Sequence, residues 1–173
     1  NKNALKAVLS KLSNEGVRLV YWVINPRDTK SNLSARENGG LLMDEKITFT
    51  KNIGEEIYIK GTKIISYIGN KVNQNLVRLA LQSGEYSRFK IDKNFKNNEF
   101  EKLYKKWMEN SLKKIIAKDV LVYIEGNVER GVVTVGEKNG KADIGILVVD
   151  KNFRGKSIGT KLNLIINKVS TPF

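Results

Sequence analysis

The most informative segment of the sequence is residues 142–162, ADIGILVVDKNFRGKSIGTKL. Its first nine residues are mostly apolar and predict a strand, and its end opens an amphipathic helix that we expect over residues 157–169. Gly155 and Gly159 place residues without side chains in the basic turn between the strand and the helix. The N-terminus of such a helix has unpaired N–H groups and the positive end of the helix dipole. A strand, loop and helix in this order can therefore bind phosphate.

The glycine spacing excludes two common nucleotide-binding loops. Gly155 and Gly159 are too close together for a GxxxxGK[ST] loop, and no Lys-Thr pair follows them. The stretch is not a GxGxxG loop either, and two hairpins rather than a βαβ unit precede it. A lone string of this kind is more often a basic surface turn, but its position between a strand and a helix favours a phosphate site.

Two hairpin turns set the fold class. Gly126-Asn127 and Asn139-Gly140 are dipeptides typical of tight turns between antiparallel strands. We expect the three strands that they connect at residues 120–125, 132–136 and 142–150. Upstream we expect a strand at 63–68 and helices at 73–82 and 98–114. The sequence therefore predicts an α/β (α+β) fold, with a mixed, mainly antiparallel sheet flanked by helices on both faces.

The first 54 residues predict a smaller α/β unit. Apolar residues at helical spacing indicate a helix that stops at Gly16, and a short helix is expected at 31–38. The run VRLVYWVI (17–24) is continuously apolar and predicts a buried strand, and residues 41–50 predict a second one. We expect domains at 1–54 and 55–173, with a boundary near residues 52–54.

Composition limits the chemistry available to this protein. The 173 residues include no Cys and no His, which excludes disulfides, cysteine nucleophiles, histidine bases and metal sites built on those side chains. A net charge of +13 points to anionic partners, and the densest positive charge is in residues 151–173, which contain no acid. No apolar run is long enough for a membrane span, so we expect a cytoplasmic protein.

At the basic loop the sequence resembles the GNAT family of acyl-CoA-dependent N-acetyltransferases. The family's pyrophosphate loop has the pattern Arg/Gln-x-x-Gly-x-Gly/Ala after its fourth strand. Arg154 fills the first position and Gly159 the last, whereas Ser157 stands where the family has glycine. The preceding ILVVD is similar to the fourth strand, whose backbone holds the pantetheine arm and the thioester carbonyl.

The resemblance implies a GNAT fold and direct acetyl transfer from acetyl-CoA to a primary amine, without a metal. The residues that it implies for acetyl-CoA are Leu147, Val148, Val149, Arg154, Gly155, Lys156, Ser157, Ile158, Gly159 and Thr160. No catalytic residue is assigned. Without Cys or His, the proton carriers are limited to Asp, Glu, Tyr, the amine itself and water.

A second resemblance concerns the acceptor. The segments SGEYSRFKIDKNF and FEKLYKKWMENSL are similar to the dTDP-fucosamine acetyltransferase branch of the family. This implies a nucleotide-linked amino sugar as one candidate acceptor, bound by Tyr86, Ser87 and Arg88. An equally acceptable role for Arg88 is a local ion pair with Asp92 or Glu85. Oligomer formation is left open.

The alternative function is a basic module that binds nucleic acid without catalysis. The sequence has no zinc-finger, helix-turn-helix or RNP signature, and outside the last segment its basic residues alternate with acids. Nucleic-acid binding is therefore the weaker of the two functional hypotheses.

The C-terminal part of the GNAT domain is expected to be incomplete. In the family, a fifth strand and a Tyr that protonates the CoA thiolate follow the helix after the pyrophosphate loop. Thr171-Pro172-Phe173 resembles the residues just before that Tyr, so residues between Leu162 and Thr171 are predicted to be missing. A true terminus with a short tail is the open alternative.

Overall fold

The computed structural model describes residues 2–52 and 63–169, with side chains up to residue 166. The chain divides into two compact units, Asn1–Lys46 and Ile47–Phe173. Residues 53–54 of the expected boundary lie outside the described ranges, so a domain division at residue 54 stays a prediction. Residues 170–173 also lie outside them, so the prediction about the C-terminal segment stays open. No helix in the described ranges is long and apolar enough to cross a membrane.

The N-terminal unit contains two helices. α1 (Lys2–Asn14) follows the predicted apolar spacing, although none of its residues is buried. α2 (Thr29–Glu37) begins after Asp28, whose carboxylate accepts a hydrogen bond from the Ser31 N–H at 3.0 Å. This N-cap bond lowers the pKa of Asp28 and satisfies one N–H group at the start of the helix. The sequence predicted both helices.

The two strands predicted within the first 54 residues are wrong. Residues 17–24 and 41–50 are irregular, and residues 2–52 contain no strand. Apolar side chains in both segments are largely exposed, as with Val23 at 90% and Phe49 at 89%. β-branched and apolar composition favours a strand, but a strand forms only when a neighbouring strand takes its hydrogen bonds. The described part of this unit offers no such neighbour.

The C-terminal unit is built on a four-stranded sheet. Its strands are β1 (Ile64–Ser66), β2 (Asp119–Glu125), β3 (Val128–Lys138) and β4 (Lys141–Val149). They lie in the order β1-β2-β3-β4, and each neighbouring pair is antiparallel. Gly126, Asn127, Asn139 and Gly140 all have positive φ, between 54° and 70°. Two such residues in succession match the tight hairpin turn that both dipeptides predicted.

Helices cover both faces of this sheet. They are α3 (Gln74–Ser83), the short α4 (Arg88–Ile91), α5 (Glu99–Leu112) and α6 (Ile158–Val169). Alternate residues of β2 face opposite sides: Val122 packs with the α3 and α5 cluster, whereas Leu121 packs with the α6 cluster. The predicted fold class is therefore confirmed.

The end of α3 is fixed by close packing against α5. Gly84 is the C-cap of α3, and a Cβ atom on it would overlap the ring of Tyr104. That ring is 7% exposed and stacks on Phe100 with a centroid distance of 4.9 Å. Only glycine lets the two helices approach this closely, and the approach positions the turn that carries Tyr86.

Candidate functional site

A groove of about 610 Å³ opens where β4 ends and α6 begins. It is lined by the end of β4, the basic loop, the first turn of α6 and the C-terminal end of α3. The lining residues are Gln82, Ser83, Tyr86, Leu147, Val148, Val149, Arg154, Gly155, Ser157, Ile158, Gly159 and Thr160. Of the residues implied for acetyl-CoA, only Lys156 is not among them. No described residue of the lining carries a carboxylate, which suits an anionic ligand.

A 3-10 turn connects β4 to the basic loop. The turn (Lys151–Phe153) follows Asp150, whose carboxylate accepts a hydrogen bond from the Asn152 N–H at 3.1 Å. The Phe153 N–H donates to the Asp150 carbonyl at 2.7 Å. Beyond the turn, Arg154 Nε donates to the Val149 carbonyl at 3.2 Å. These short-range bonds return the chain to the end of β4 before α6 starts.

The loop contains two residues with left-handed backbone conformation. Gly155 has φ of 78° and Ser157 has φ of 57°. Left-handed residues in a tight turn can aim neighbouring N–H groups into one concavity, which binds anions. Glycine adopts this conformation without cost, whereas serine does not. The Ser157 departure from the family pattern therefore falls where a glycine would relieve strain.

The N-terminus of α6 adds further N–H donors. Its first helical hydrogen bond is donated by the Lys161 N–H to the Ser157 carbonyl at 3.0 Å. The N–H groups of Ile158, Gly159 and Thr160 therefore have no helical acceptor. Together with the positive end of the helix dipole, they favour an anion on this side of the groove.

A β-bulge shapes the strand that forms the other wall. Val133 pairs with Leu147 and Val135 with Ile144, so two residues of β4 lie opposite the single residue Thr134. The buried Thr134 hydroxyl accepts a hydrogen bond from the Ile146 N–H at 2.8 Å. In the described part of the chain β4 is also the edge of the sheet. Apart from the Val149 carbonyl, which accepts from Arg154 Nε, its outer backbone groups next to the groove are thus available to a ligand.

Lys156 does not line the groove. Its ammonium lies 4.7 Å from the centroid of the Phe153 ring, and the Arg130 guanidinium carbon lies 4.3 Å from the same centroid. Both cations are thus engaged with an aromatic ring.

Asp150 is the buried carboxylate next to the loop, with 1% of its surface exposed. Its Oδ2 accepts a hydrogen bond from Arg78 Nη2 at 2.9 Å, and Arg130 Nη1 lies 3.5 Å from the same oxygen. The Arg78 hydrogen bond is the main reason why the pKa of Asp150 lies below its usual value.

No local sequence pattern marks Gln82, Arg78 or Thr134 as part of this site. Each reaches the groove or its supporting turn through the packing of α3 on the sheet or through strand register. Only Asp150 was marked in the sequence, as the end of the predicted strand.

Of the three residues implied for the acceptor, one lines the groove and two do not. Tyr86 lines the groove and is 80% exposed. Ser87 is the N-cap position of α4, and Arg88 is the first residue of that helix. The Arg88 guanidinium lies 4.7 Å from the centroid of the Phe89 ring, and neither Ser87 nor Arg88 is among the lining residues. Their role in acceptor binding stays a prediction.

A second, larger groove of about 1040 Å³ lies along α3 and α5. Its lining mixes cations such as Lys105 and Lys113 with the carboxylates Glu85, Glu101 and Glu109. These three carboxylates make this groove less suited to an anion than the first groove, whose described lining residues include none.

Comparison with known proteins gives distant structural likeness. No protein-family model matches the chain, and no curated protein matches it. Among solved structures, it resembles the PaiA N-acetyltransferase from Thermoplasma acidophilum in complex with coenzyme A. The identity is 17%, the match covers 61% of this chain and 70% of that one, and the TM-score is 0.48. PH1933 from Pyrococcus horikoshii OT3 is 20% identical over 60% of this chain and 68% of that one, with a TM-score of 0.42. The case for a function therefore rests on the groove itself.

Proposed function

We propose that the C-terminal unit is an acetyl-CoA-dependent N-acetyltransferase of the GNAT type. The observation that carries the proposal is the convergence of three elements on one groove: the edge strand β4, a loop with two left-handed residues, and the N-terminus of α6. The loop and helix supply N–H donors and positive potential for phosphate. The edge strand supplies backbone groups for an extended, amide-containing arm.

In this proposal the pyrophosphate and the pantetheine arm of the cosubstrate contact different walls of the groove. The CoA pyrophosphate accepts hydrogen bonds from N–H groups of residues 155–160, and Arg154 adds charge. The pantetheine arm runs along residues 147–149, where β4 is the edge strand of the described sheet. Lys156 contributes little, because its ammonium lies over the Phe153 ring.

The proposed reaction is a single displacement. The amine nitrogen attacks the thioester carbonyl carbon, the C–N bond forms and the C–S bond breaks. The amine loses a proton to a base or to water, and the departing CoA thiolate takes one up. The chain has no Cys or His for a covalent intermediate or an imidazole base. Tyr86 is the phenol among the described lining residues and is available for proton exchange.

Calorimetry tests the cosubstrate. The protein is titrated with acetyl-CoA, with CoA and, separately, with a duplex oligonucleotide. Saturable binding of acetyl-CoA and CoA at near-stoichiometric ratio supports the proposal. Binding of the duplex alone, with a strong salt dependence, would replace it by the nucleic-acid-binding alternative.

A thiol assay identifies the acceptor. Because the chain contains no cysteine, a thiol-reactive dye reports released CoA without background from the protein. A panel of nucleotide-linked amino sugars, simple amines and polyamines is mixed with acetyl-CoA. We propose a nucleotide-linked amino sugar as the productive class, and release of CoA with other amines only would contradict that choice.

Arg88→Ala then tests the acceptor site. If Arg88 contacts the acceptor, the variant raises the KM of the acceptor more than the KM of acetyl-CoA. An unchanged acceptor KM would return Arg88 to a structural role at the start of α4.

A further inference from the structure

One carboxylate joins three elements around the basic loop. Asp150 lies between β4 and the 3-10 turn, and its side chain is 1% exposed. Its Oδ2 accepts from Arg78 of α3 at 2.9 Å and lies 3.5 Å from Arg130 of β3. Its Oδ1 accepts from the Asn152 N–H at 3.1 Å. The start of the loop is thus tied to a helix and to a neighbouring strand.

A second hydrogen bond connects α3 to the same turn. Gln82 lies one helical turn after Arg78, so both side chains are on the same face of α3. Its Oε1 accepts a hydrogen bond from the Lys151 N–H at 3.0 Å. Two successive positions of the turn, Asp150 and Lys151, are therefore held by one face of one helix.

The contact continues into the loop itself. Arg130, which pairs with Asp150, also lies 4.3 Å from the centroid of the Phe153 ring. Lys156 lies 4.7 Å from that centroid. The chain of contacts therefore runs from Arg78 through Asp150, Arg130 and Phe153 to the middle of the loop.

The loop contains a strained backbone conformation that these contacts help to maintain. Ser157 has positive φ without being glycine, a conformation that persists only where the surroundings hold it. The two arginines also neutralise a carboxylate that would otherwise repel an anion close by. A buried ion pair adds little to stability compared with apolar packing, so its presence beside the loop is better explained by positioning.

We infer that Asp150 is a positioning residue that, together with Arg78, holds residues 154–157 in their anion-binding conformation. The inference rests on the proposed function. We call the pairing of Asp150 with Arg78 the clamp. When the clamp is broken, the loop populates other conformers, and the apparent affinity for an anion falls in proportion to the fraction of molecules with a binding-competent loop. If the fraction of molecules with a binding-competent loop falls to about one tenth, the dissociation constant rises about tenfold.

The test compares Asp150→Asn and Arg78→Gln with the matched control Glu101→Gln. The control removes another ion pair of the same unit, Lys90 to Glu101 at 3.2 Å, which lies outside the clamp. Calorimetry with CoA should show a dissociation constant about tenfold higher for both clamp variants, and unchanged for the control. Arg78→Lys keeps the positive charge and should restore part of the affinity.

Amide hydrogen exchange separates positioning from general destabilisation. In both clamp variants the amides of Lys151, Asn152 and Phe153, which are hydrogen-bonded in this turn, and that of Lys161 should exchange faster. The amides of β2 and α5 should keep their protection. Arg78 is half exposed, so Arg78→Gln carries the test if Asp150→Asn does not fold. Wild-type CoA affinity together with wild-type protection of these four amides in both clamp variants would overturn the inference. If the wild-type protein does not bind CoA, the proposed function fails instead, and the exchange experiment still decides whether the clamp orders the loop.

Discussion

Gly159 allows a single N–H donor to be removed from the proposed pyrophosphate site. It is the second residue of α6, and its N–H has no helical acceptor. Gly159→Pro deletes this donor at a position where no helical hydrogen bond is lost. Gly159→Ala is the matched control, because it keeps the N–H and its Cβ would lie 3.6 Å from Val149 Cγ2, an ordinary contact.

The expected loss follows from one hydrogen bond to a charged group. Such a bond contributes about 1.5–3 kcal/mol, and each 1.4 kcal/mol is about tenfold in affinity. Gly159→Pro should therefore raise the dissociation constant for CoA by about 10- to 100-fold. Gly159→Ala should bind within about threefold of the wild type, since it loses no donor.

Isothermal calorimetry with CoA measures both variants, and circular dichroism of each sample checks that α6 is retained. Proline also restricts the residue before it, so thermal unfolding is recorded to separate a stability change from a binding change. If Gly159→Pro bound CoA as tightly as Gly159→Ala, the backbone of the α6 N-terminus would not be the anion site.

Three further changes test the fold and the loop. Gly84→Ala places a Cβ against the buried Tyr104 ring and should destabilise the protein by about 1–3 kcal/mol in urea unfolding; an unchanged midpoint would contradict the close packing of α3 on α5. Ser157→Gly removes a side chain from a left-handed position and should stabilise by up to about 1 kcal/mol with CoA affinity kept, whereas destabilisation would show that the hydroxyl has a role of its own. Because the folded state lowers the pKa of Asp150 below its ordinary 3.8, its contribution to stability is complete above about pH 4 and is lost as the pH falls through the lower folded value. Asp150→Asn should therefore flatten the loss of stability below pH 4, and a curve parallel to the wild type would refute the pairing with Arg78.

The predicted part of the site is the part that local sequence specifies. The loop from Arg154 to Thr160 was expected from glycine spacing and from a strand and a helix on either side. The structure brings all of these residues except Lys156 to one groove. Tyr86 also lines this groove, whereas Ser87 and Arg88 do not. No sequence pattern predicts which side of a short helix such as α4 faces a groove that is built by elements distant in the chain.

The difference between local and long-range interactions also separates the helices and strands that were predicted correctly from those that were predicted wrongly. The sequence by itself determined the hairpins at Asn127 and Gly140 and the amphipathic helices α3, α5 and α6, because turn chemistry and helical periodicity are local properties. It failed at residues 17–24, where apolar composition predicted a strand but no described neighbour pairs with it. Local patterns do not predict that Arg78 and Gln82 meet the turn after β4, or that Thr134 supports the bulge. Those contacts join residues that are distant in the chain, so helix packing and strand register create them.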